Sequence, residues 1–233
     1  MRITLIGTGR LGTNLHAALG KAGHDVDWLR GREVPTRLGE VVVICVKDDA
    51  IPFVAKTLQP LISETSALVV HTAGSIAMDT LPFERRGVLY PMQTFSRERM
   101  VNFAEIPIFT EASTPEDTKL LELLARSISR KVYALDSEKR KYLHLAAVFA
   151  CNFVNHCYHL SSDILQTQGI PFEVMLPLID ETAQKVHNLS PRLAQTGPAV
   201  RYDKSVIRRH EDMLEGTTKE IYHLMSKSIH DKL

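Results

Sequence analysis

The sequence predicts an α/β domain over residues 1–135 followed by an all-α domain over residues 136–233. Three observations carry this. Short apolar runs alternate with helical patterns up to about Asp136, a glycine-rich turn separates the first run from the first helix, and strand signals stop beyond that point. A chain of 233 residues is long enough for one large domain or two modest ones.

The strands expected in order are "RITLIG", "DVDWLR", "VVVICV", "ALVVHT", "GVLYPM", "IPIFTE" and "KVYALD". Helices are expected after the first, third and fourth of them. Another is expected from about Pro115, with Thr114 as N-cap and Pro115 at the first helical position, where its missing N–H costs nothing. The second half reads as a long helix over residues 137–168, a second over residues 172–189, and two shorter ones. "TTKE" at residues 217–220 has the spacing of a capping box for the last.

"ITLIGTGRLG" places Gly7-x-Gly9-x-x-Gly12 directly after the first strand and at the start of a helix. In a dinucleotide-binding turn Gly7 permits the tight bend, Gly9 lets backbone approach a pyrophosphate, and Gly12 lets helix and strand pack closely. Residues 7–12, including Thr8, Arg10 and Leu11, are therefore candidate cofactor ligands, with the phosphates at the helix N-terminus. The first domain is accordingly expected to be Rossmann-like. The second strand ends "WLRGR", so Arg30 and Arg32 stand where an NAD site would hold an acid. Guanidinium pairs well with a 2′-phosphate, which points to NADP(H). Only "EVPTRLGE" separates Arg32 from the next strand, too little for the usual helix and third strand, so the domain is shortened after strand 2.

The stretches "IGTGRLGTNL", "VKDDAI", "HTAGSIAMDTL", "YPMQTFS", "HLAAVFACNF" and "QTGPAVRYD" together resemble a bacterial family of Rossmann-like proteins with a C-terminal helical domain of unassigned function, labelled NADP oxidoreductases. More distantly the chain is similar to pyrroline-5-carboxylate reductase and the 6-phosphogluconate and 3-hydroxyisobutyrate dehydrogenase group. That resemblance implies hydride delivery into a cleft roofed by a helical, dimerising domain. The chain departs from the pattern at Tyr90, where many relatives have histidine before the proline, and in the short segment after Arg32.

"LHLAAVFACNFVNH" at residues 143–156 is apolar enough for a buried helix yet carries two histidines and two asparagines. At about 100° per residue, His144, Val148, Cys151, Asn152, Asn155, His159 and Ser162 fall on one face, with Lys141 at its N-terminal end. Such a stripe is an ordinary solvent face, a buried network fixing helix register, or a cleft lining with His144 as proton donor and Asn152 and Asn155 as catalytic orienting groups. His156 and His159 lack a carboxylate or cysteine at metal-ligand spacing, so no metal is expected.

Strand ends carry function in doubly wound sheets. Val46 and Lys47 are expected beside the ribose and nicotinamide, and His71 and Thr72 against the nicotinamide. Gly74, Ser75, Gln93 and Thr94 are expected toward the substrate. "QTGPAVRYD" should end in a helix capped by Asp203. By position it resembles the loop that closes the pyrroline-5-carboxylate reductase site, which makes Thr196, Gly197, Pro198 and Arg201 candidate substrate contacts.

The charge balance, 28 basic against 27 acidic residues, favours neither nucleic acid nor an anionic membrane. Residues 142–162 contain no Asp, Glu, Lys or Arg, but hold too many other polar groups for a lone membrane span and read as a buried soluble helix. Three cysteines without a C-x-x-C pair, and no export signal after Met1, suit reduced thiols in the cytoplasm. The sequence thus predicts an NADP(H)-dependent oxidoreductase acting on a C=O or C=N carbon of a small molecule, as a homodimer through the helical domain. The alternative is a non-catalytic nucleotide-binding or sensing protein.

Overall fold

The structure, a computed structural model, describes all residues except 31, 32, 34 and 233. Among the described residues seven strands form one sheet: β1 (Arg2–Ile6), β2 (Asp25–Leu29), β3 (Val41–Ile44), β4 (Leu68–His71), β5 (Arg86–Pro91), β6 (Ile108–Ala112) and β7 (Val132–Ala134). Their order is β2-β1-β3-β4-β5-β6-β7, with β5–β6 the one antiparallel pairing. This is a Rossmann-like sheet with β2 at its edge, as the short connection after strand 2 requires. Residues 35–40 form neither helix nor strand. They run under the start of β1, where the Gly39 N–H donates to Thr4 Oγ1 at 2.8 Å and the Glu40 N–H to the Arg2 carbonyl at 2.8 Å.

β3 and β4 are buried along their whole length, as a strand covered on both faces must be. Alternate residues feed two cores. Ile3, Leu5, Val41 and Val43 pack with Leu15 and Leu19 of α1 (Arg10–Lys21) and Leu121 and Leu124 of α3 (Pro115–Ile128). Ile6, Val42 and Ile44 pack with Ile51, Val54 and Leu58 of α2 (Ile51–Ile62). α3 begins where the sequence places it. Thr114 accepts from the Asp117 N–H at 3.1 Å, and Pro115 follows. Thr114→Ala is expected to cost about 1 kcal/mol, read as a lowered urea midpoint at constant slope.

The helix expected after β4 is absent. A single 3₁₀ turn, Met78–Thr80, stands there, because Gly74, Ser75 and Pro82 interrupt a segment that is also anchored by buried contacts at both ends. The long helix differs as well. α4 (Ser137–Ala147), capped by Asp136 on the Lys139 N–H, passes into a π-helical segment, Val148–Phe153, and α5 (Val154–Gln166) follows. A π turn bonds i to i+5, so a 3.6-residue periodicity does not run unbroken through it. Nor is this stretch buried. Arg140 is the one buried residue of α4, and Leu145, Phe149, Phe153, Val154 and Ile164 are exposed.

The chain divides into two compact units, Met1–Phe153 and Val154–Leu233. The second comprises α5, a 3₁₀ turn (Phe172–Met175), α6 (Leu176–Asn188), α7 (Pro191–Ala194), α8 (Lys204–Asp212) and α9 (Gly216–Asp231). Asp203 caps α8 through the Val206 N–H at 3.2 Å. The capping box expected at residues 217–220 does not form. α9 starts earlier, at Gly216 with φ +52°, so Thr217 already lies inside the helix and Glu215 is the N-cap. Among the described residues of this unit, only Ala199 is buried.

Candidate active site

Three glycines build the turn after β1, each for its own reason. Gly7 has φ +127°, and a Cβ there would lie 2.0 Å from the Cys45 carbonyl oxygen. A Cβ on Gly12 would lie 2.2 Å from the Gly7 carbonyl oxygen, which is how closely α1 packs on the turn. Gly9 is different: a Cβ there would meet nothing within 4 Å. Gly9 is also the N-cap of α1, with no side-chain cap and no acid in the first turn. Unpaired N–H groups and an uncompensated dipole therefore face open space, which suits an anionic phosphate. Thr8 is half-buried, Arg10 is exposed, and Leu11 packs on the core.

Neighbouring residues brace this turn. The Trp28 Nε1–H donates to the Gly7 carbonyl at 2.9 Å, and its indole stacks on His16 with ring centres 4.3 Å apart. Three further contacts come from two residues that sequence reasoning missed. Asn14, buried in α1, donates to the Ser96 carbonyl at 2.8 Å and accepts from the Val101 N–H at 3.2 Å. Arg97, on the loop so anchored, reaches the Thr8 carbonyl at 3.1 Å. A polar side chain in the apolar stripe of "GTNLHAAL" was the available signal for Asn14. Arg97 gave none. Arg30 is exposed, and its backbone N–H donates to Glu33 Oε2 at 2.8 Å. Arg32 lies outside the described residues.

Past β3, Val46 packs on the second core and Lys47 is exposed at the N-terminus of a 3₁₀ turn, Asp48–Ala50. Ser75 Oγ donates to Asp48 Oδ2 at 2.6 Å, tying the loops after β3 and β4 together. His71 is fully buried. Its Nδ1 accepts from the Ala73 N–H at 3.2 Å and its Nε2 meets the Ala77 carbonyl at 3.3 Å, so both nitrogens are engaged by backbone. Thr72 is buried beside it and bonds the Ile44 carbonyl through its N–H at 3.2 Å.

Burial, with the Arg140 cation adding to it, pushes the His71 pKa down to about 4. The unfolded chain binds this proton near pH 6.5, so stability is full above that value and falls as pH drops toward 4. The loss is expected to reach about 3 kcal/mol at pH 4. Urea unfolding at pH 7 and pH 4 checks it: the gap between wild type and His71→Asn should narrow by that amount on acidification. Burial likewise raises the Cys45 thiol to about 11, leaving it inert.

A cavity of about 520 Å³ opens at the carboxyl end of β5. Its polar lining is Tyr90, Gln93, Thr94, His144 and Asn152, with Cys151 among them; the rest is Met92, Leu143, Val148 and three alanines. The structure thus brings together His144, Asn152, Gln93 and Thr94 from the sequence-predicted set, and adds Tyr90. None of the lining side chains is ionised as a carboxylate, lysine or arginine. The Gln93 side-chain oxygen accepts from the Thr94 N–H at 2.8 Å.

The helix carrying His144 is held by a residue the sequence reading did not single out. Arg140, 1% exposed, pairs with Glu111 of β6 and donates to the Ile76 carbonyl at 2.6 Å and to Ser137 Oγ at 3.0 Å. Arg140 sits one turn before His144, so this anchor fixes where the imidazole stands.

Other candidates lie in the second unit. Asn155 is exposed in the first turn of α5. Thr196 and Pro198 line an apolar cavity of about 480 Å³ with Cys157, Leu160 and Tyr222, while Gly197 has φ +110° and Arg201 is exposed. Among the described residues no group of three or more His, Cys, Asp and Glu side chains is arranged to hold a metal ion, and no helix is long and apolar enough to cross a membrane.

Known proteins can be set beside this geometry. A "putative NADP oxidoreductase" from Bacteroides fragilis shares 44% identity over 99% of this chain and 98% of its own, with a TM-score of 0.89. At the level of fold alone, the chain is similar to a reductive aminase from Aspergillus terreus, solved with NADPH and ethyl-5-oxohexanoate (15% identity, 99% and 94% covered, TM-score 0.72). It is also similar to the Plasmodium falciparum pyrroline carboxylate reductase with NADP bound (13% identity, 99% of each covered, TM-score 0.59). No curated protein matches the sequence. The family described as "Domain of unknown function (DUF2520)" matches residues 106–229, more than half of the chain, and the protein belongs to that family.

Proposed function

We propose that the protein is an NADP(H)-dependent oxidoreductase that moves hydride between the nicotinamide and a C=O or C=N carbon of a small molecule. The observation that carries this is the turn at residues 7–12, where two glycines are required by packing and the third leaves an uncapped, acid-free helix end open to phosphate. The names of its relatives agree: the B. fragilis protein is called a "putative NADP oxidoreductase", and an imine reductase from Myxococcus stipitatus with the same fold is solved with NADP⁺.

When bound, NADPH supplies the hydride. The N–H groups at the start of α1 would hold the phosphates, and Arg30 and Arg32 would take the 2′-phosphate. His144 gives the proton to the oxygen or nitrogen of the reacting double bond. The Asn152 amide orients that atom. The cavity's lack of ionised lining residues favours a neutral reacting end, since a buried charge without a partner costs several kcal/mol.

A panel of ketones, aldehydes and cyclic imines, each mixed with NADPH and enzyme, tests the reading through loss of NADPH absorbance. Turnover that His144→Gln lowers by a factor of roughly 10²–10⁴ supports it. The short segment between β2 and β3 favours a second reading, a nucleotide sensor without turnover. That reading gains if NADPH binds and no member of the panel is reduced.

We further propose a homodimer through the helical unit. Support comes from the single buried residue among the second unit's described residues and from exposed Val174, Leu176, Leu178, Val186 and Leu224, surface that so small a unit does not cover alone. Light scattering at micromolar concentration should give twice the 26.2 kDa chain mass; a monomer contradicts the proposal. Unpaired Cys45, Cys151 and Cys157 suit the cytoplasm.

A further inference from the structure

Tyr90, near the end of β5, was met in the sequence only as a departure from the histidine of relatives. In the structure its hydroxyl and His144 Nδ1 are 3.0 Å apart, with the two rings edge-on at 71°. Gly74 makes the pair possible. A Cβ there would lie 2.5 Å from His144 Nδ1 and 2.9 Å from Tyr90 Cζ, so any other residue would push one ring away. Both rings line the cavity. Among the described residues the other imidazole nitrogen, Nε2, has no protein partner.

The surroundings decide the state of the phenol. Burial raises the Tyr90 pKa above its usual value, with the Arg140 cation opposing and the Asp48 carboxylate assisting. His71, nearby, is held neutral by its own burial, and Lys141 on α4 is paired with Glu138. The hydroxyl therefore keeps its proton at neutral pH, and its oxygen lone pairs are available to an N–H.

We propose that Tyr90 is the positioning residue for proton transfer in this site: its hydroxyl oxygen accepts from Nδ1–H of His144, which leaves Nε2 as the nitrogen that releases the proton. The inference rests on the oxidoreductase reading. In reduction a C–H bond forms with the arriving hydride, and the π pair moves to the oxygen or nitrogen. That atom takes the Nε2 proton of the imidazolium. His144 ends neutral with Nδ1–H still donated to Tyr90, and water returns a proton to Nε2. In oxidation the alcohol or amine gives its proton to Nε2 as hydride leaves. Without the phenol, the imidazole is free to turn or to exchange tautomers, and only a fraction of molecules keep the proton on Nδ1 with Nε2 directed at the cavity.

Long-range ¹H–¹⁵N spectra of the full-length ¹⁵N-labelled protein test this without a substrate, the His144 signals being assigned by their loss in His144→Gln. The expected result is a single His144 state with hydrogen-bonded Nδ1, replaced in Tyr90→Phe by a tautomer mixture. Tyr133→Phe, which alters an exposed ring, should leave it unchanged. Once the panel yields a substrate, Tyr90→Phe should lower kcat roughly tenfold or more with KM little changed, because ring packing and cavity shape are kept. Identical His144 spectra in wild type and Tyr90→Phe, both folded by circular dichroism, overturn the proposal. NADPH titrated into the same samples separates the two claims. Binding with identical spectra removes the pair alone, and a Tyr90-dependent spectrum without NADPH binding removes the oxidoreductase reading alone.

Discussion

Gly12→Ala is expected to destabilise the protein by about 3 kcal/mol, while Gly9→Ala, three residues away, leaves stability within about 1 kcal/mol of wild type. A methyl on Gly12 lands 2.2 Å from a backbone carbonyl oxygen that cannot give way without moving the turn. A methyl on Gly9 meets only open space, and the φ of −74° there suits alanine. The order reverses for ligand binding. The Gly9 methyl would occupy the ground a pyrophosphate needs, so NADPH affinity should fall at least about tenfold in a folded protein. Urea unfolding and cofactor titration on both variants read the two effects separately. Equal stability of the variants would contradict the packing account; unchanged affinity in Gly9→Ala would contradict the phosphate site.

Arg140→Met is expected to cost about 3–5 kcal/mol. It removes the cation from Glu111, whose side chain is 17% exposed, and leaves the Ile76 carbonyl without its donor. The Nε of Arg140 is itself buried without a partner, so the pair is already incompletely satisfied and its worth lies in specificity of position. Arg140→Met combined with Glu111→Gln should recover part of the loss, because the uncompensated carboxylate is what makes the single variant costly. A urea double-mutant cycle measures this; strict additivity would show that the two residues do not act together. Loss of the anchor should also weaken the Tyr90–His144 contact, since α4 is tied to the sheet one turn before His144.

Much of the first unit was legible because its signals are local. β3 and β4 announce themselves as apolar runs, Thr114-Pro115 as a helix start, and the glycine spacing as a phosphate turn, each without reference to distant residues. The shortening after strand 2 was legible too, since eight residues cannot make a helical crossover. The segment after β4 was misread because its helix-like apolar pattern ignores Gly74, which the fold holds for the His144 ring. The capping box at residues 217–220 failed for the opposite reason: the motif is present, but Gly216 starts the helix two residues earlier.

The site was only partly legible. His144, Asn152, Gln93 and Thr94 share a cavity that their separate patterns could suggest but not demonstrate. Tyr90 stood out only as a departure from the resembled pattern, because a tyrosine in a buried strand usually reads as core, and its partner is 54 residues away. Arg140 looked like one charge of "SEKRK" on a solvated helix start, and only the packing of α4 on β6 buries it. The π-helical segment was invisible to a projection that assumes 3.6 residues per turn throughout. Residues beyond it, such as Asn155, cannot be assigned to the face of His144 by counting.

The central claim is that the turn at residues 7–12 holds the phosphates of NADP(H). Titration of the purified protein with NADPH and, separately, NADH tests it most directly, with Trp28 as the reporter. Its indole N–H is bonded to the Gly7 carbonyl, so occupation of the turn should change its fluorescence. The account predicts saturable binding of NADPH, weaker binding of NADH, and loss of that preference in Arg30→Ala or Arg32→Ala. No binding of either dinucleotide, in a protein folded by circular dichroism, would contradict it.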